Sequence, residues 1–130
     1  MGSLDPWFFT GFAESAASFT FSRSGHQTAI YFAIKSADGR LLSAIQEFLS
    51  GAGRLYAAGK GQMYRVTRRD ELQRVVAHFD AFPLQGHKKD TYRLWREMVM
   101  LKQAFRRTSN RQGLDALASQ LSHRLTKSLD

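Results

Sequence analysis

The chain has 130 residues, 43% of them apolar and 23% charged, a composition that fits a globular protein with a core and excludes disordered or fibrous classes. It has no cysteine, so disulfide frameworks and thiolate metal sites are excluded, and no apolar run reaches the length of a membrane span. Nineteen Lys and Arg against eleven Asp and Glu give a formal charge of +8, the balance expected of a protein that neutralises phosphates. No signal-peptide pattern opens the chain, so a cytoplasmic or organellar location and no membrane partner are expected. Residues 1–3 read as a cloning scar. The whole of 1–130 reads as one domain, with 106–130 as a C-terminal helical extension.

Asp5-Pro6 opens a helix, because Asp accepts from free amides and Pro lacks the amide that the first turn leaves idle. Phe8, Phe9, Phe12, Ser15 and Ala16 mark this helix as short and largely buried, and its second half is rich in small residues. The period then changes to two over 18–24 and again over 29–35, with a break at Gly25-His26-Gln27, which predicts a hairpin. Asp38 caps a helix with Leu41, Leu42, Ile45, Phe48 and Leu49 on one face, ended by Gly51-Ala52-Gly53. A second hairpin runs 54–58 and 62–67 about Gly59-Lys60-Gly61. Asp70 is expected to cap a helix carrying Leu72, Val75, Val76 and Phe79, which Pro83 closes. Asp90 or Thr91 is expected to cap the next, with Leu94, Trp95, Met98, Leu101 and Phe105. Leu114, Leu117, Ala118, Leu121 and Leu125 form the last apolar stripe.

The order α-β-β-α-β-β-α with two further helices predicts an α+β fold: one antiparallel sheet with helices on a single face. Phe19, Phe21, Ile30, Phe32, Ile34, Leu55, Ala57, Tyr64 and Val66 are expected to face the core. The opposite face then carries Ser18, Thr20, Ser22, Ser24, Gln27, Ala29, Tyr31, Ala33, Lys35, Tyr56, Ala58, Lys60, Met63, Arg65 and Thr67. Its polar groups all donate hydrogen bonds and none is a carboxylate, which suits phosphates and base edges. From this face Thr20, Ser22, Ser24, Gln27, Tyr31, Lys35, Tyr56, Lys60, Arg65 and Thr67 are the candidate DNA contacts, together with Lys89 of the later loop. An ordinary solvated face is the alternative. The histidines His26, His78, His87 and His123 lack metal-ligand spacing and read as surface or cap residues.

Phe9-Thr10-Gly11-Phe12-Ala13-Glu14-Ser15-Ala16-Ala17, followed by Ser18-Phe19, resembles the motif of the LAGLIDADG homing-endonuclease family. So do 32–38, at the end of a second strand, and Phe82-Pro83-Leu84 with Lys88, Lys89 and Tyr92-Arg93-Leu94-Trp95. The likeness covers about 5–105, in order and spacing. It implies a saddle-shaped sheet lying along the DNA major groove. It also implies pairing of two motif helices through Phe8, Gly11, Phe12 and Ser15; with one copy present, this means a homodimer and a nearly palindromic site. A tight helix contact inside the chain is the alternative for Gly11.

The family cleaves DNA with Mg²⁺ held by an acid at the eighth motif position, which here is Ala16. Glu14 lies about 200° around the helix from it and reads as structural. Ser36 stands where active members often carry Gln, and Lys88 matches the family's basic residue, although a solvated loop would also explain Lys88 and Lys89. The chain is therefore expected to hold no metal and to bind duplex DNA without cutting it. RNA binding as an intron maturase, or a protein-interaction role on the same fold, are the alternatives.

Overall fold

The computed structural model describes residues 4–25, 27–104 and 111–128. The elements are α1 (Pro6–Ala16), β1 (Ala17–Ser24), β2 (Gln27–Ser36), α2 (Gly39–Phe48), β3 (Arg54–Ala58), β4 (Gly61–Val66), α3 (Arg69–Ala81), α4 (Lys88–Ala104) and α5 (Arg111–Ser128). The expected order of elements is the one observed. Phe105 and His26, assigned above to a helix stripe and a turn, lie outside the described residues.

The four strands form one antiparallel sheet in the order β1-β2-β4-β3. The two hairpins are thus joined through their second strands, with Phe32 opposite Val66 and Ile34 opposite Tyr64. Phe19, Ile30, Phe32, Ile34, Tyr64 and Val66 point to one face and merge with Phe9, Leu42, Ile45, Val75, Phe79, Trp95 and Met98 in a single core. Helices cover that face, as the alternation predicts. Gly53 lets β3 leave α2: its φ is +81° and an added Cβ would lie 2.7 Å from the Arg65 carbonyl oxygen, so only glycine fits.

Helix starts follow the charges. Asp5 accepts from the amides of Trp7 (2.8 Å) and Phe8 (3.0 Å), and Asp38 from Leu41 (3.1 Å), as expected. Two expected caps are corrected. The N-cap of α3 is Arg68, without a side-chain bond, and Asp70 sits in the first turn, where a carboxylate favours the positive end of the helix dipole. α4 starts at Lys88, placing Asp90 in its first turn, and Thr91 is buried inside the helix, where its hydroxyl accepts from the Arg124 guanidinium at 3.2 Å.

Three burial assignments also change. α1 is not largely buried: it hides only Phe9, Thr10 and Ala13, while Trp7 and Phe8 are 53% and 49% exposed. Ala57 is exposed because β3 lies at the sheet rim with one neighbouring strand. Ala33 belongs to the outer face yet is nearly covered, because its methyl sits between Ser18 and Arg65 in the register.

Trp95 ties α4 to the sheet. Its ring is fully buried, and its indole N–H lies 3.1 Å from the Thr20 carbonyl and 3.0 Å from that of Tyr31. Trp95→Phe keeps an aromatic ring but removes this donor. The expected loss is about 1–3 kcal/mol of stability, read from the denaturant midpoint at unchanged slope.

Candidate nucleic-acid interface

The outer face of the sheet is built by parity. None of the four strands contains an acidic residue, so every charge on them is positive. Arg23 has the inward parity of Phe19 and Phe21, and it forms an ion pair with Asp115 of α5. Lys35, Arg54 and Arg65 have outward parity, and among the described residues none of them makes an ion pair.

Arg54 was missed in the sequence reading. It pairs with Arg65 across β3 and β4 and precedes outward-facing Tyr56 by two residues, so strand parity alone would have found it. The Arg65 guanidinium carbon lies 4.4 Å from the Tyr31 ring centroid and 5.8 Å from that of Tyr56. Both tyrosines are diagonal neighbours across adjacent strands, within reach of a long side chain. Lys35 pairs with Met63, which pairs with Tyr56, and the Lys35 amine extends toward the turn at Gly59, next to Lys60.

The remaining candidates spread along the same face. Thr20 stands opposite Tyr31, while Ser22, Ser24 and Gln27 line the exposed far end of the first hairpin. Thr67 is exposed just past β4. Lys89 is exposed in the first turn of α4 and is not part of the sheet.

At the end of α1, Ala16 presents a half-buried methyl, and β1 begins at the next residue, opposite Ile34 of β2. Ser36 follows two residues after Ile34, and its hydroxyl accepts from the Asp38 amide at 3.0 Å, which shapes the strand-to-helix turn. The Lys88 ammonium donates to the carbonyls of Ala13 (3.3 Å) and Ala17 (2.5 Å), the negative end of the α1 dipole. Burial holds its pKa below the usual lysine value, and the nearby Glu14 carboxylate opposes that shift. Glu14 accepts from the amides of Gln85 and Gly86, so it anchors the loop before α4, in keeping with its structural reading. Lys88 is therefore not a solvated loop residue.

A divalent cation does not fit this end of the helix. Ala16 offers a methyl, the Glu14 oxygens hold the loop, and an ammonium occupies the carbonyls that remain.

His78 corrects a further expectation. It is buried against Phe9, Phe48, Phe79 and Phe82 rather than lying on the surface. Its Nε2 is 2.9 Å from the Thr10 hydroxyl, which donates to the Phe82 carbonyl at 2.8 Å. The single hydroxyl proton is thus committed, so the neutral His78 donates from Nε2. Burial pushes its pKa down to about 4. Because the unfolded chain takes up the proton near 6.5, stability is complete above that pH and falls as the pH drops toward 4. The loss attributable to this group is on the order of 3 kcal/mol. Unfolding midpoints at pH 7 and pH 4.5 should converge more closely in His78→Gln than in the parent chain.

The profile of the family described as LAGLIDADG endonuclease matches residues 9–99. A protein of Podospora anserina, described as an uncharacterized 50.9 kDa protein in ND4 intron 1, is 31% identical over 113 residues, spanning 78% of this chain and 25% of that protein. Among solved structures, the LAGLIDADG meganuclease I-CpaMI bound to uncleaved DNA shows a TM-score of 0.77 and 29% identity over 86% of this chain and 42% of its own. The homing endonuclease I-TnaI, at 20% identity, shares the fold over 97% of this chain and 99% of its own, with a TM-score of 0.79. The chain belongs to the LAGLIDADG endonuclease family. It spans less than half of the meganuclease and a quarter of the intron protein.

Proposed function

We propose that this chain binds duplex DNA through the outer face of its sheet, as one copy of the fold paired with a second, and does not cut it. The observation that carries this reading is the acid-free face on which Lys35, Arg54 and Arg65 make no ion pair among the described residues, in a family whose solved members include DNA complexes. A cation with no internal partner is available to a phosphate or a base edge. B-form duplex is favoured over duplex RNA, whose major groove is closed to side chains.

Pairing through α1 is supported by Gly11. It is exposed, and nothing lies within 4 Å of a Cβ added there, so no contact inside the described chain requires glycine. In mid-helix glycine costs about 1 kcal/mol relative to alanine, which a close helix in a second copy would explain. Phe8 stacks on Phe12 with centroids 6.2 Å apart, leaving an aromatic surface beside Gly11 and exposed Ser15. The homodimer is the reading adopted, with an intron-encoded origin like that of the Podospora relative. The absence of cutting rests on Ala16 and on Lys88 holding the helix carbonyls.

Selection from a random duplex library tests binding. The expected result is a near-palindrome of roughly two helical turns, with affinity falling about a thousandfold or more between 50 and 200 mM salt. Absence of enrichment would remove the reading. The selected duplex should survive the unaltered chain in Mg²⁺, and Ala16→Asp should introduce some nicking if the rest of the site is intact; no nicking would mean that Ser36 or other changes also disable it. Cutting by the unaltered chain would refute the inactive site.

A further inference from the structure

We propose that Arg65 is a specificity-determining residue that reads a guanine, and that Tyr31 and Tyr56 are positioning residues that hold its guanidinium for this purpose. The assignment rests on the proposed duplex-DNA reading and adds to it a base and a residue.

An arginine on a solvated sheet face ordinarily samples many rotamers or folds onto a carboxylate. Arg65 has no such carboxylate on the strands, and its guanidinium is set between two rings from strands on either side of its own. Cation–π attraction to both rings restricts the plane and reach of the guanidinium. The Nε atom is buried and has no hydrogen-bond partner among the described residues, so the stem is packed down while the head stays on the outer side. Burying that donor costs free energy that a flexible surface residue would avoid. The arrangement thus keeps a rigid planar fork with uncommitted N–H groups on the face that would meet DNA.

A fork of parallel N–H donors matches the O6 and N7 acceptors of guanine in the major groove. A phosphate would also accept from it, but a phosphate contact needs little rotational precision, and the point charge of a lysine would serve. Lys35 and Lys60 already supply such charges at the Gly59 end of the face. The two rings therefore favour base reading over backbone contact. Pre-ordering also lowers the entropy lost when the contact forms, which rewards the correct base specifically.

The test uses the full chain, the duplex it selects, and single-base variants of that duplex. Arg65→Lys keeps the charge but not the fork, so the loss should fall on one base position and not on every duplex alike. Preference for one G·C pair, or a symmetric couple of them, should fall by about 5- to 150-fold. Tyr31→Ala should reduce the same preference, and Tyr31→Phe, which keeps the ring face, should restore it. Thermal midpoints of the variants separate these effects from unfolding. A uniform loss of affinity over all single-base variants would make Arg65 a phosphate contact and overturn the assignment. Unchanged base preferences in Arg65→Lys would overturn it as well, leaving DNA binding intact. If the parent chain enriches no duplex, the DNA reading fails and takes this assignment with it.

Discussion

Edge-to-face and tilted packing of aromatic rings around Phe32 is the contact on which the other features depend. Its ring meets Phe9 of α1 at 6.3 Å, Phe19 of β1 at 5.3 Å, Tyr64 of β4 at 6.5 Å and Phe79 of α3 at 6.0 Å. Such pairs add about 0.5–1.5 kcal/mol each beyond the apolar area they bury. Four elements are fixed by one side chain of a central strand. Because the aromatic core sits on the helix side, the opposite face is left mostly to hydroxyls, small residues, tyrosines and cations, with Met63 among them. The division between the packed face and the open polar face is therefore made residue by residue along each strand.

Much of this could be read before any coordinates. Alternation placed Phe19, Ile30, Phe32, Ile34, Tyr64 and Val66 inward, because a half-buried strand leaves a period of two. Asp5 and Asp38 announced two helix starts, because free amides attract carboxylates. Local rules failed where distant contacts decide. His78 looked like any lone histidine, and its burial comes from distant partners: the Phe9 and Phe48 rings, and the Thr10 hydroxyl sixty-eight residues away in sequence. Lys88 looked like half of a solvated pair, yet it closes the end of a helix that lies far back in the chain. Pairing of β2 with β4 is likewise non-local, since hairpin signals specify neighbours in sequence and not which strands then meet. Ala57 was misplaced because alternation says which way a side chain points and not whether anything covers it. The stacking of Arg65 required both the register and the strand order, neither of which the sequence pattern supplies.

α1 serves both sides of this arrangement. Phe9, Thr10 and Ala13 hold it to the core, with Thr10 bridging to α3 and its following turn through His78 and Phe82. Trp7 rests edge-on against Phe82 at 5.1 Å but remains largely open. A helix pinned so firmly along one side keeps the other in a fixed orientation. Its last turn is closed by the Lys88 ammonium on the Ala13 and Ala17 carbonyls, which fixes the point where β1 begins.

The sheet order has a last consequence, for solubility. Joining the hairpins through β2 and β4 puts β3, only five residues long, at one rim. It is bounded by Gly53 and Gly59, whose φ values of +81° and +60° turn the backbone out of the strand at each end. An incoming strand would find few aligned amides and carbonyls there, and Arg54 at the start of the rim adds a charge that a second strand would have to accommodate. A protein rich in β-branched and aromatic strands risks ribbon-like stacking with its own copies. Here the shortest strand lies at that rim, so few unpaired backbone groups are offered there to a second copy.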